Sequence, residues 1–459
     1  MRKVSQAILV VIGGSPMKRI GPKRSRLEPV FPVDTDAMIQ VSGLAVIALV
    51  ACAFDGLRIA RALPGVALAA GVEYVAGLIF IGRRATAARI NRILGGASHD
   101  ALTRLREQDR FSVSGLVLAF IRLAQMIGVG GYLCLDDTFI PHERARKMDG
   151  VYWDHPKGRA LRGDHALNRN VLGTRLVVLI WTDGFWRIPV GFAIWHKKDA
   201  REKYRTKNEI ARTLLRWAIH KGIRPKYVAF DNWYASKENM KLIVKGLGLE
   251  FVTRLKKNAR LLWNGRKLQA RTIGRRLLAE RRVWSQNGTW ARATTVVVGE
   301  LGAMTFVAVK DDLDGQGVGV RYLLASAPRM SAALVVERYR SRWIIETFFE
   351  DLKQHLSLGS YQGRTVDGQM CHVALAFMGL VALDAMRRDA GLTLGEATES
   401  ARRIVFARTA SGECELVSLT PAPADALDGL DDAKEIVASS LGKVSQLGLP
   451  GDVYANMAA

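Results

Sequence analysis

Three carboxylates stand where a divalent cation could be held. Asp137 and Asp231 each follow a short apolar run, Tyr132–Leu135 and Tyr227–Phe230, and Glu346 lies in a stretch of helical periodicity. Strand ends are where α/β folds place ligand-binding groups. Carboxylate oxygens are hard donors, and Mg2+ takes one or two of them while keeping several waters. Two such ions about 4 Å apart would activate a water or a 3′-hydroxyl and stabilise the leaving oxygen of an in-line phosphoryl transfer. Taken singly, each Asp reads more simply as a turn residue or a helix N-cap. Asp136 precedes Asp137, and strand alternation sends neighbours to opposite faces, so only one of them can readily be the ligand.

Glu346 has company. Tyr339, Arg342, Glu346 and Lys353 follow the spacing Y-x2-R-x3-E-x6-K. On a continuous helix of 3.6 residues per turn they point to roughly 0°, 300°, 340° and 320°, one stripe. Such a stripe would bind a metal at Glu346 and phosphates at Arg342 and Lys353. An amphipathic helix with solvated charge pairs explains the same spacing, and geometry alone does not separate the two. Trp343, Ile344, Phe348 and Leu352 are core candidates on either reading.

These residues need a scaffold, and the sequence supplies an α/β one. After Gly130-Gly131 come a strand ending at Asp136-Asp137-Thr138, a run at Arg175–Trp181, the turn Asp183-Gly184 and a run at Arg187–Trp195. Two runs joined by Asp-Gly read as a hairpin. A helix at Lys207–Lys221, a strand closing at Asp231, a helix at Ser236–Lys245 and a strand at Glu250–Thr253 follow. That order predicts an α/β domain with a mixed sheet. From Arg254 to Ser326 the pattern turns basic and β-rich, with strands expected at Thr294–Val298, Thr305–Val309 and Val318–Ala325 around a loop at Asp311–Gly317. One long helix, Ala332–Leu356, is expected after Ser331, then another at Gly368–Ala390.

The expected organisation is a basic, disordered segment at 1–37, a helical region at 38–128 that could bind DNA, a catalytic domain at 129–366 with its β insertion at about 254–326, and a helical region with a flexible tail at 367–459. The first 16 residues could be an upstream extension of a chain starting at Met17. Ser98 is placed to cap a helix over Ala101–Glu107. The apolar stretches Met38–Phe54 and Val66–Ile81 are too short or too polar for a bilayer span and read as buried helices.

Composition narrows the partner. Lys and Arg number 67 against 43 Asp and Glu, giving a net charge of +24 and a pI of about 10.2. A surplus this large suits a polyanion, with nucleic acid first and an anionic membrane well behind. An apolar share of 49% allows a sizeable core. The four cysteines, Cys52, Cys134, Cys371 and Cys414, form no C-x-x-C pair, so zinc or a disulfide framework is not expected and a reducing cytoplasm suits them. Trp263, Trp284 and Trp290 lie among basic residues of the insertion; they fit either a DNA patch or a small core. His196-Lys197-Lys198-Asp199 reads as a solvated turn.

The spacing at Tyr339, Arg342, Glu346 and Lys353 resembles the signature of DDE transposases of the insertion sequence 4 family, with every interval matched. Asp136-Asp137-Thr138 resembles the segment of that family's first catalytic Asp, which assigns the role to Asp137. Val228-Ala229-Phe230-Asp231 resembles the second. The resemblance covers about 94–364. It implies an RNase H-like core with a β insertion between the second Asp and the Glu. It implies a metal triad of Asp137, Asp231 and Glu346 holding two Mg2+ ions, with Mn2+ as a substitute. It further implies Tyr339, Arg342 and Lys353 on the double-stranded DNA of transposon ends, and a homodimer on that DNA without membrane contact. Tyr322, in Arg321-Tyr322-Leu323-Leu324, stands where some relatives stack an aromatic on a flipped base; an ordinary strand tyrosine explains it more simply. A domesticated or inactive RNase H-like DNA-binding protein, or a related nuclease, is the alternative.

Overall fold

Long apolar runs become strands buried on both faces. Val171–Thr182 is buried at nearly every position, without the alternation of a half-exposed strand, because strands flank it and helices cover the sheet. In the computed structural model the described residues are 65–408 and 414–418, apart from 83–84, 95–96, 106–111, 129, 143–144, 146, 155–170, 197–203, 280–283, 287–288, 312–318 and 362. The segment 1–37, the apolar stretch Met38–Phe54, the tail from Thr420 and most of the loops at 197–199 and 311–317 lie outside them. The chain packs as two compact units. Of the described residues, one takes those of 120–141 and 152–349; the other takes those of 65–119, 142–151 and 350–418.

The first of these units is built on a twelve-stranded mixed sheet. Its strands are β1 (Tyr132–Pro141), β2 (Tyr152–Asp154), β3 (Val171–Thr182), β4 (Ile188–Trp195), β5 (Tyr227–Phe230), β6 (Glu250–Leu255), β7 (Arg260–Trp263), β8 (Arg266–Gln269), β9 (Trp284–Gln286), β10 (Thr289–Val297), β11 (Ala303–Asp311) and β12 (Arg321–Ala325). The order is β2-β3-β1-β5-β6-β12-β11-β10-β7-β8, with β4 also on β3 and β9 on β10. β3 and β4 form the hairpin expected at Asp183-Gly184. β1 runs antiparallel to β3 and parallel to β5, and β5 runs parallel to β6. The basic, β-rich stretch does not form a separate sheet: β12 pairs with β6 and so extends the sheet that carries β1 and β5.

Four helices that lie in this unit or begin in it bear on the site. Thr206 opens Lys207–His220 with a reciprocal capping box to Glu209, which fixes where Lys207 stands. A short helix, Lys237–Lys241, follows β5 and is capped by Ser236. Ser331 caps Ala332–Arg340 by accepting from the Leu334 amide, as the sequence leads one to expect. The single long helix expected over Ala332–Leu356 is in fact two, Ala332–Arg340 and Trp343–His355. At the junction the Arg342 amide bonds the Tyr339 carbonyl and the Ile345 amide bonds the Arg342 carbonyl. These are three-residue steps that tighten the turn, so Tyr339 and Glu346 do not share one straight helical stripe.

The second unit is helical where described, apart from the hairpin Ile404–Arg408 with Cys414–Ser418. Helices Gly65–Ile81 and Val366–Ala390 pack together, and Tyr74 Oη lies 2.8 Å from His372 Nδ1. Ser98 caps His99–Arg104 through the Ala101 amide. Val366–Ala385 is long and apolar enough to cross a membrane, yet 83% of it is buried within the protein. It also carries the fully buried Asp384, bonded to Arg387 Nε at 2.7 Å. Both features suit a core helix. Among the described residues Cys134 and Cys371 are buried free thiols.

Candidate active site

The site grows from the register of two parallel strands. Leu133, Cys134 and Leu135 of β1 lie opposite Val228, Ala229 and Phe230 of β5. The next residues are Asp136 and Asp231. Side chains in register on parallel neighbours share a face, so these carboxylates stand side by side. Asp137 is turned to the opposite face. β1 does not stop at the acidic pair, as its apolar run suggests, but continues to Pro141; Asp136 and Asp137 are therefore mid-strand, each with a fixed orientation.

Asp231 begins the turn after β5. Its Oδ1 accepts from the Trp233 amide at 2.7 Å, and its carbonyl accepts from Thr253 Oγ1 at 3.2 Å. Asp136 is largely buried, and burial raises its carboxyl to about 7. The Arg342 guanidinium works against that rise, while the charges of Asp231 and Asp137 add to it. Two carboxylates sharing a low-dielectric face are expected to behave so.

Arg342 organises this face. Its Nη1 donates to Asp136 Oδ2 at 2.8 Å and its Nη2 to Glu346 Oε1, and the guanidinium carbon lies 5.6 Å from the Tyr339 ring centre. Glu346 sits in the first turn of Trp343–His355. Tyr339 is buried, and burial raises its phenol. Lys353, further along that helix, belongs to the other compact unit.

The opposite face of β1 holds Asp137 in a clamp. Arg175 Nη1 donates to its Oδ2 at 2.7 Å; Lys207 Nζ and Tyr234 Oη donate to its Oδ1 at 2.8 and 2.7 Å. Burial pushes this carboxyl up, but Lys207 and Arg175 outweigh it and hold it below the ordinary range. Arg175 also bonds Asp154 and, through Nε at 3.0 Å, Tyr152 Oη. Asp137 thus faces away from Asp231, and both of its oxygens are engaged by donors.

A divalent cation fits part of this arrangement. Asp136 and Asp231 offer two hard donors on one face, a number suited to Mg2+. Glu346 is held by Arg342, and among the described residues no three His, Cys, Asp or Glu side chains converge as a metal site. Tyr322 lies away from the carboxylates, in β12; its ring stacks on Phe306 at 6.1 Å and covers Gly274, where an added Cβ would lie 2.5 Å from it.

Sequence reasoning missed Arg175, Lys207 and Tyr234. Two signals were present. Arg175 interrupts an otherwise apolar strand, and a charge there needs a buried partner. Lys207 opens a helix, where a cation is disfavoured by the helix dipole unless something else holds it.

Residues 67–315, more than half of the 459-residue chain, match the family described as DDE superfamily endonuclease. The match includes Asp136, Asp137 and Asp231 and ends before Glu346. No curated protein matches the chain.

Proposed function

The chain belongs to the DDE superfamily endonucleases, and from that premise we propose that it is the transposase of a bacterial insertion sequence. It binds terminal inverted repeats, cuts the 3′ ends and joins them to a target. The observation that carries this reading is the pairing of Asp136 with Asp231 on one sheet face, closed by Arg342 and Glu346. The Y-x2-R-x3-E-x6-K spacing supports the insertion sequence 4 family. Strand order supports an RNase H-like core: an antiparallel β4-β3-β1 set continues into parallel β5 and β6, with the β insertion on β6. The net charge of +24 supports a DNA partner.

In this reading Asp136, not Asp137, is the first carboxylate of the triad, with Asp231 second and Glu346 third. Mg2+, or Mn2+ in its place, would be held by Asp136 and Asp231. Bound there, it would polarise the scissile phosphate and lower the pKa of a bound water. Glu346 becomes available when Arg342 leaves it for a DNA phosphate, whose oxygens the planar guanidinium binds in bidentate fashion. Tyr339 backs Arg342, and Lys353 adds a phosphate contact. Two copies on DNA would bring two ends together, in the cytoplasm and on the nucleoid.

Metal-dependent cleavage of DNA carrying the gene's own flanking sequences tests this. Specific nicks seen with Mg2+ or Mn2+, and lost in both Asp136→Asn and Glu346→Gln, are expected. Specific binding without cutting would favour the domesticated or inactive protein instead. Full cutting by Glu346→Gln would remove that residue from the site.

A further inference from the structure

Among the described residues Trp233 is one of the most exposed large apolar side chains, 56% open to solvent, yet its position is fixed from two sides. Its amide donates to Asp231 Oδ1 at 2.7 Å, so its backbone is tied to a carboxylate of the site. Its ring is met by Lys207 Nζ, 4.3 Å from the ring centre. That lysine side chain is only 11% exposed, and its Nζ is in turn held by Asp137 Oδ1 at 2.8 Å. A buried ion pair therefore steadies an exposed indole. Burying the Asp137 carboxylate among donors costs desolvation, and one outcome of that arrangement is a ring presented to solvent beside Asp231. Lys207 stands over the ring, and more than half of the residue is open to solvent.

We propose that Trp233 is a stacking platform for a nucleobase next to the phosphate that is cut, and that Asp137 positions it through Lys207. This rests on the DNA-cutting reading above. The ligand class follows from chemistry: an indole face accepts any base, and the neighbouring ammonium suits a polyanionic strand. Because the Trp233 amide bonds Asp231 Oδ1, a nucleotide stacked on its ring would be held at the strand end that carries Asp231. It would also explain why the clamp on Asp137 exists on the face away from those carboxylates.

The test uses the full chain and duplexes of the gene's flanking sequence carrying 2-aminopurine at single positions across the cut site, with Ca2+ in place of the catalytic ion. One position is expected to be quenched by wild type. Trp233→Ala should abolish that quenching and weaken binding about 5- to 150-fold, the range for losing one stacked base, while Trp233→Phe retains both. Asp137→Asn should reduce the quenching at that position more than it reduces binding. Unchanged quenching in Trp233→Ala, with specific binding intact, overturns the platform alone. Absence of specific binding by wild type overturns the DNA-cutting reading and the platform with it. If Trp233→Ala instead changes the sedimentation of the free protein, the ring belongs to a contact between copies and the proposal falls.

Discussion

Neutralising the two neighbouring aspartates should move stability in opposite directions. Asp137→Asn keeps the shape but removes the charge that Arg175 and Lys207 share, with side-chain exposures of only 23% and 11%. Breaking a buried pair costs about 3–5 kcal/mol. Arg175 retains Asp154 and Tyr152, and an amide oxygen still accepts one bond, so about 2–4 kcal/mol is expected. Asp136 is the reverse case. A carboxyl raised to about 7 by burial and by the charges of Asp231 and Asp137 is ionised at pH 8 in unfavourable surroundings. Asp136→Asn removes that burden but takes one partner from Arg342, so no net loss of stability, or a gain, is expected. Urea denaturation of the full chain at pH 8 measures both, beside the cleavage assay. Asp136→Asn should be as stable as wild type, or more so, and inactive. Asp137→Asn should be less stable. If the two variants lose the same stability, or if Asp136→Asn is the weaker protein, the assignment of faces is wrong.

Three further outcomes are expected. His142 is buried with an unpartnered Nε2, and burial lowers its pKa to about 4. Its contribution is whole above the unfolded pKa of about 6.5, falls as pH drops towards 4 because only the unfolded chain takes up the proton, and changes no further below that; the loss is about 3 kcal/mol. His142→Phe should remove that component from the pH dependence of the urea midpoint, and an unchanged profile would refute it. Gly173→Ala should destabilise by about 1–3 kcal/mol, since its Cβ would collide with the Ile140 carbonyl of the paired strand; a neutral result in thermal melting would contradict the β1–β3 register. Arg342→Lys should bind DNA end fragments less tightly and cut them more slowly, because an ammonium cannot span Asp136 and Glu346 at once or take a phosphate bidentately; wild-type rates in the cleavage assay would remove Arg342 from the mechanism.

Much of this protein is legible without coordinates because it depends on local pattern. Ser98 and Ser331 cap helices as their side-chain chemistry predicts. The β3–β4 hairpin follows from Asp183-Gly184 between apolar runs. Asp231 closes β5 where the run of apolar residues ends. The basic surplus and the spacing from Tyr339 to Lys353 are properties of the chain itself. What the sequence could not decide is how segments distant in the chain align. Whether Asp136 or Asp137 stands with Asp231 depends on the register of β1 on β5, and a slip of one residue would exchange them. Arg175, Lys207 and Tyr234 reach Asp137 only because strand pairing and the packing of Lys207–His220 on β3 and β4 bring them there. The break at Ser341-Arg342 is likewise set by packing, since propensity favours a continuous helix, while Arg342 bonds Asp136 and Glu346 across it. Local chemistry fixes which residues can act; the pairing of remote strands fixes which of them meet.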